Sequence, residues 1–129
     1  MAEGLLRDWC LKKSTGIHVA SAGIAALVGD AADSKAVALM ADKGIDIHTH
    51  RARQLSSAMI AEHDLILVME AGHIKAINAM APQSRGKVHL LGKWNDNEEI
   101  ADPYRKSSPH FKAALSAIER SIQAWEKYL

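Results

Sequence analysis

Asp102 lies in the stretch Ala101-Asp102-Pro103-Tyr104-Arg105-Lys106-Ser107, where the proline that follows pushes it out of helical geometry toward an extended turn. Its carboxyl therefore projects from a loop, which taken alone is an ordinary turn and only with support from the rest of the chain a site for acid–base work. A complete phosphate site would add a cradle of backbone amides, a cation and a nucleophile or metal. The sequence has no phosphate-cradling glycine motif. Its one thiol, Cys10, has Gly16 where a Cys, five residues, Arg loop needs an arginine, and its place on an apolar helical stripe reads as a core thiol. His48 and His50 have no third ligand at metal spacing, so they read as a solvated pair and not as a zinc site. His73 opens a helix and reads as a capping or packing histidine, because no partner for a catalytic base can be named. Arg51 and Arg53 form a solvated face or an anion-facing pair. Tyr104 and Trp94 are core aromatics or pocket walls.

The chain that must position these groups has 129 residues, 48% of them hydrophobic, enough for one domain around one core. Sixteen Lys and Arg against 15 Asp and Glu leave a formal charge of +1. No basic field calls for nucleic acid, and binding must come from local sites. A lone cysteine excludes an internal disulfide framework and fits a reducing compartment. No apolar run approaches the length of a membrane span. The opening Met1-Ala2-Glu3-Gly4 lacks the order of an export signal. The expectation is a soluble, cytoplasmic protein with no membrane insertion.

Ala2, Leu5, Leu6, Trp9 and Cys10 recur at helical spacing, which predicts a helix near 2–13 that Gly16 ends. Ile17 to Ala22 reads as a strand closing at Gly23. Asp33 caps a helix near 34–43 that stops at Gly44, and Ser56 caps a short one carrying Ala58, Met59 and Ile60. Leu65-Ile66-Leu67-Val68-Met69 is apolar without alternation, as expected of a parallel strand covered on both faces. A helix over 71–80, ended by Pro82, and a strand over 87–91 follow. The last helix, near 109–128, has Ser108 as its expected cap, and Phe111, Leu115, Ile118, Ile122, Trp125 and Leu129 form its stripe. Strands alternating with helices predict an α/β fold, an open parallel sheet flanked by helices, whose sites lie at the carboxyl ends of the strands. Ser21 to Gly23, Glu70 to His73 and the loop to Asp102 all fall at that end. The odd feature is the opening helix, since a doubly wound domain normally begins with a strand.

With these residues in view, the chain resembles the low-molecular-weight protein-tyrosine phosphatases over its whole length, in particular the bacterial branch associated with tyrosine kinases of exopolysaccharide export. The resemblance rests on Met1 to Leu6, Ser21-Ala22-Gly23, Ala26 to Gly29 with Ala32-Asp33, and His50 with Ala52-Arg53-Gln54. It continues through Asp64 to Leu67 with Met69-Glu70, His73-Ile74, Met80-Ala81-Pro82, Arg85 to Val88, and Asp102 to Ser107. It implies a flavodoxin-like domain of the phosphotyrosine phosphatase I type and the hydrolysis of phosphotyrosine, with no cofactor and no metal. By the same resemblance Asp102 is the general acid, Tyr104 and Leu27 flank the slot for the phosphotyrosine ring, Ser21 and His73 steady the phosphate loop, and Arg53 is a polar support. The implied partner is a phosphotyrosine protein such as a bacterial tyrosine kinase.

The family begins with a strand and a Cys, five residues, Arg loop ahead of the Ala-Glu that is here Ala2-Glu3. Residues 1–129 are therefore expected to form a single domain with the first strand missing and truncated at the N-terminus. It would hold the acid and the walls but not the nucleophile, and would be inactive without that loop. The alternative is a non-catalytic binding or regulatory homologue that recognises a tyrosine kinase or its tail. Arsenate reductases of the same fold need further reactive cysteines. The missing strand would lie between the strands at Val19 and Leu67, so a gap or a direct pairing is expected there, together with self-association through the exposed sheet.

Overall fold

A computed structural model describes residues 1–129. Helix α1 (Ala2–Lys12) is followed by α2 (Ser34–Ala41), α3 (Ser57–Glu62), strand β1 (Ile66–Val68), α4 (Ala71–Met80), strand β2 (Val88–Leu90) and α5 (Ser108–Trp125). Single 3-10 turns cover Pro82–Ser84 and Glu126–Tyr128. β1 and β2 pair in parallel with Ile66 opposite Val88 and Val68 opposite Leu90.

The apolar run around β1 is covered on both faces, as its lack of alternation predicts. Val68 and Val88 pack with Ile60, Ile77 and Ala81 of the α3–α4 layer. Leu65, Leu67 and Met69 point the other way, against a cluster built on α5 from Ala114, Ile118, Ile122 and Trp125. The α5 stripe also reaches a third cluster, in which Phe111 and Leu115 pack with Ala36, Met40 and Ile47. One helix thus ties the sheet to α1 and α2. Its anchor is the indole N–H of Trp125, which donates to the buried Leu91 carbonyl at 2.7 Å.

The caps are those the sequence announces, with one exception. Asp33 accepts from the Lys35 N–H at 2.8 Å and Ser56 from the Met59 N–H at 3.2 Å, while Gly44 turns the chain out of α2 at φ +74°. At α5 the capping position belongs to Ser107 and not Ser108, and Pro109 lies in the first turn. The Ser107 hydroxyl meets His110 Nδ1 at 3.0 Å, so it does not cap a backbone amide.

The larger correction concerns residues 17–22. They do not form a strand, and no backbone–backbone hydrogen bond involves any of them. A strand exists only when a neighbour supplies the ladder, and here the expected gap between Val19 and Leu67 is present as a cleft of about 670 Å³ lined by both. The sheet is accordingly two-stranded. No helix is long and apolar enough to cross a membrane.

Two core changes test this packing. Met40, with no exposed surface, should cost about 2–5 kcal/mol when truncated to alanine. Trp125→Phe, which orphans the Leu91 carbonyl, should cost about 1–3 kcal/mol. Lys112→Ala on the exposed side of α5 should stay within about 0.5 kcal/mol of the parent in urea denaturation. A Trp125→Phe chain as stable as the parent would remove the anchor from this account.

Burial also pushes the Met1 α-amine below its ordinary value of 8.0, against the opposing pull of Glu3. The unfolded chain then binds more protons in the interval below 8.0, so this group makes stability rise with pH until both states are neutral. Between about pH 6 and pH 9 the free-amine chain should therefore gain melting temperature relative to an Nα-acetylated one. Parallel curves would show that the amine is not desolvated.

Candidate functional site

Four residues singled out by the sequence meet in one place. Ser21, Arg53, His73 and Asp102 all line the cleft between the extended segment 17–22 and β1. Each arrives on a different element. Ser21 ends the extended segment, Arg53 lies in the polar stretch before α3, His73 is in the first turn of α4 directly after β1, and Asp102 follows the long connection from β2. Apart from Arg53, these positions lie at or after the ends of β1, β2 and the segment 17–22, where an open parallel sheet presents its loops.

The Asp102 loop is fixed at several points. The Ile100 N–H donates to the Met69 carbonyl at 3.0 Å, extending β1 by one cross-link. Glu99 Oε1 accepts from the Ala71 N–H at 2.8 Å, tying the loop to the amide-rich start of α4. Farther back, the loop closes on itself at Gly92 and Glu98, where a Cβ on Gly92 would run into the Glu98 carbonyl. Asp102 Oδ1 then accepts from the Tyr104 N–H at 2.9 Å. Oδ2 accepts no hydrogen bond.

His73 Nδ1 accepts from the Glu70 N–H at 3.3 Å, so the ring closes the start of α4, in keeping with its reading as a capping histidine. Arg53 donates to the Ser21 carbonyl through Nε and Nη2 at 3.4 and 3.2 Å. It supports the cleft wall through the backbone. Arg51 instead donates to the carbonyls of His48 and His50. The histidines have separate partners. His48 Nδ1 lies 2.6 Å from Asp46, and His50, partly buried and thus not solvated as expected, lies 3.1 Å from Glu3. The His48 backbone N–H, more than its ring, holds the Asp46 carboxyl below the ordinary carboxylate range. Cys10 is buried, as expected of a core thiol. Trp94 is neither fully core nor cleft wall, but stacks half-exposed on Tyr128 with centroids 4.4 Å apart.

Tyr104 and Leu27 do not line the cleft. They lie on loops at 47% and 52% exposure.

Three supporting residues carry no signal in their spacing. Arg7 is bonded to Glu3 at 3.2 Å and donates to the Val19 carbonyl at 2.7 Å. Gln54 receives the Ala26 N–H and donates to the Ile24 carbonyl, bracing the turn before Leu27. Glu99 is the third. Each is an unremarkable polar residue whose partner is distant in the chain.

The sequence profile described as low molecular weight phosphotyrosine protein phosphatase matches residues 1–129. The low molecular weight protein-tyrosine-phosphatase Wzb of Salmonella typhimurium is 46% identical over 113 residues, 88% of this chain and 76% of that protein. Etp of Escherichia coli, also a low molecular weight protein-tyrosine-phosphatase, is 41% identical over 129 residues, 100% of this chain and 84% of its own length. Among solved structures, Vibrio vulnificus Wzb in complex with benzylphosphonate matches with a TM-score of 0.91 and 39% identity, over 99% of this chain and 88% of that one.

The two arginines offer a direct test of how the cleft wall is held. A hydrogen bond from a charged donor is worth about 1.5–3 kcal/mol. Arg7→Met and Arg53→Met should each raise proteolytic cutting within residues 17–22 by roughly tenfold or more, while α5 keeps its amide protection. Unchanged cutting in both variants would show that the segment is held by its side chains alone.

Proposed function

Because the chain belongs to the low molecular weight phosphotyrosine protein phosphatases, we propose that it serves the hydrolysis of phosphotyrosine in proteins with Asp102 as the acid that protonates the departing phenol. The observation that carries this reading is the convergence of Ser21, Arg53, His73 and Asp102 on one cleft. A phenolate of pKa about 10 leaves phosphorus poorly at neutral pH, so the break of the P–O bond gains most from a proton delivered to the phenolic oxygen. Asp102 Oδ2 delivers it, while Oδ1 stays on the Tyr104 amide.

Tyr104 and Leu27 take the two sides of the aromatic ring. Their exposure supports this, since both side chains are accessible from solvent, with Arg105 lying over the Tyr104 ring at 5.2 Å. Ser21 and His73 support the phosphate loop, with Arg53 acting through the Ser21 carbonyl. The buried Cys10 thiol is not the attacking group. The resemblance assigns that task, and the clamp on the phosphoryl oxygens, to a Cys, five residues, Arg loop. The proposed substrate is a phosphotyrosine protein, with a bacterial tyrosine kinase of exopolysaccharide export as partner. Its support is the likeness to the Wzb and Etp phosphatases.

Aryl phosphate turnover tests the assignment in three forms of the chain. Residues 1–129 alone should run at background, because a general acid contributes about 10²–10⁴-fold only after a nucleophile has engaged phosphorus. Losing a nucleophile costs on the order of 10⁶-fold in kcat. A form extended by a strand and a Cys, five residues, Arg loop should be active. Asp102→Ala in that form should slow it, least for leaving groups that need no proton. Full-rate turnover by the extended Asp102→Ala form would refute the acid assignment, and robust hydrolysis by residues 1–129 would refute the division of labour.

A further inference from the structure

The turn that follows Asp102 carries positive charge that no acid of the protein neutralises. Over residues 102–112 three cations, Arg105, Lys106 and Lys112, stand against the single carboxylate of Asp102, while the formal charge of the whole chain is only +1. All three are exposed, and none takes part in an ion pair. The acids that flank this stretch in the chain are engaged elsewhere. Glu98 pairs with Arg120, Glu99 accepts from the Ala71 N–H, and Glu119 pairs with Lys43. Lys35, which reaches α5 over the Phe111 ring at 5.5 Å, has Asp33 beside it at 3.9 Å and adds little to the excess.

Arg105 is the cation whose position is fixed. The Lys106 N–H donates to the Pro103 carbonyl at 2.8 Å, closing a turn with Tyr104 and Arg105 at its centre. Arg105 takes φ +61° there, a left-handed conformation that favours glycine and that a residue with a Cβ adopts only at a cost. Strain of this kind persists where the surrounding structure over-determines it, and it gathers at functional sites. In this conformation the guanidinium lies over the Tyr104 ring, 5.2 Å from its centroid. The side-chain hydrogen bonds of this loop run from the Tyr104 N–H to Asp102 and between Ser107 and His110, so neither uses Arg105. A guanidinium stacked on a ring keeps its N–H groups at the rim, where two of them can meet a carboxylate in parallel.

We propose that Arg105 is a specificity-determining residue, which selects phosphotyrosine peptides carrying an Asp or Glu carboxylate within two residues of the phosphotyrosine. This rests on the reading above in which Tyr104 flanks the substrate ring. Because Arg105 covers one face of Tyr104, the other face is the one left to that ring. The guanidinium then sits beside the bound phosphotyrosine and not on it, at the level of the neighbouring residues. An extended peptide advances about 3.3 Å per residue, so the side chains one and two residues away pass within reach of the guanidinium rim. Lys106 and Lys112 raise the local potential for an acidic peptide, but only Arg105 has the planar fork and the fixed position that read one carboxylate.

The test uses the form extended by a strand and a Cys, five residues, Arg loop, and phosphotyrosine peptides that are identical except for Glu or Gln at one position. That position is moved in turn to one and two residues before and after the phosphotyrosine. At one position or more, kcat/KM for the Glu peptide should exceed that for its Gln counterpart by about three- to tenfold. Salt at about 0.5 M should erase most of the difference. Arg105→Met should bring the ratio to about one, and Arg105→Lys should keep part of it. Lys127→Met removes a cation that lies over Tyr128, beyond the far end of α5, and should leave the ratio unchanged. If Arg105→Met slows both peptides alike and the ratio stays, Arg105 only holds the Tyr104 ring and the proposal is overturned. It is overturned too by an equal loss in Lys127→Met, which would assign the preference to net charge, and by equal parent rates on Glu and Gln peptides at every position. In each of those cases the peptides are still turned over, so the hydrolysis reading stands. Absence of turnover on every peptide would refute that reading and this role with it.

Discussion

A strand buried on both faces must be served on both edges, and β1 is that strand. Ile66 and Val68 send their side chains to α3 and α4, while Leu65, Leu67 and Met69 send theirs to α5. The two helical layers are the consequence, because each set of apolar side chains has to leave water and only a helix stripe of matching width covers it. On one edge β2 satisfies the backbone. On the other lies a cleft, lined by four of the candidate site residues, Ser21, Arg53, His73 and Asp102.

Arg7 and Arg53 tie down segment 17–22 at two alternate carbonyls, those of Val19 and Ser21. Arg7 Nη2 also donates to the Glu3 carboxylate, which meets His50, so the start of α1, the polar stretch near residue 50 and the cleft wall are joined by one hydrogen-bond network. These charges are partly shielded from solvent, the setting in which ionic hydrogen bonds keep more of their strength than exposed pairs do.

The Asp102 loop is held differently, by one backbone bond and one carboxylate. Ile100 bonds to Met69 and Glu99 to the first amide of α4, so Asp102 is placed by the end of β1 and not by contacts of its own side chain with the core. The proposed role of Asp102 as acid would gain from such placement, since a proton donor must reach a leaving oxygen within hydrogen-bond distance while staying free to give up its proton.

The sequence by itself determined the elements whose signals are local. The α5 stripe, the Asp33 and Ser56 caps, the unalternating run at 65–69 and the Asp-Pro turn at 102 depend only on period, capping chemistry and proline geometry, and each is found where those rules place it. The family, too, was legible, because its motifs are short and ordered along the chain. Residues 17–22 were not. Their composition is that of a strand, but a strand is a relation between two segments, and composition does not record whether the second one is there. For the same reason the roles of Arg7, Gln54 and Glu99 came only from the folded chain. A hydrogen bond between residues 12 or 28 positions apart depends on how helices and loops stack, and nothing in the spacing of an arginine or a glutamate says which distant carbonyl or amide it will meet.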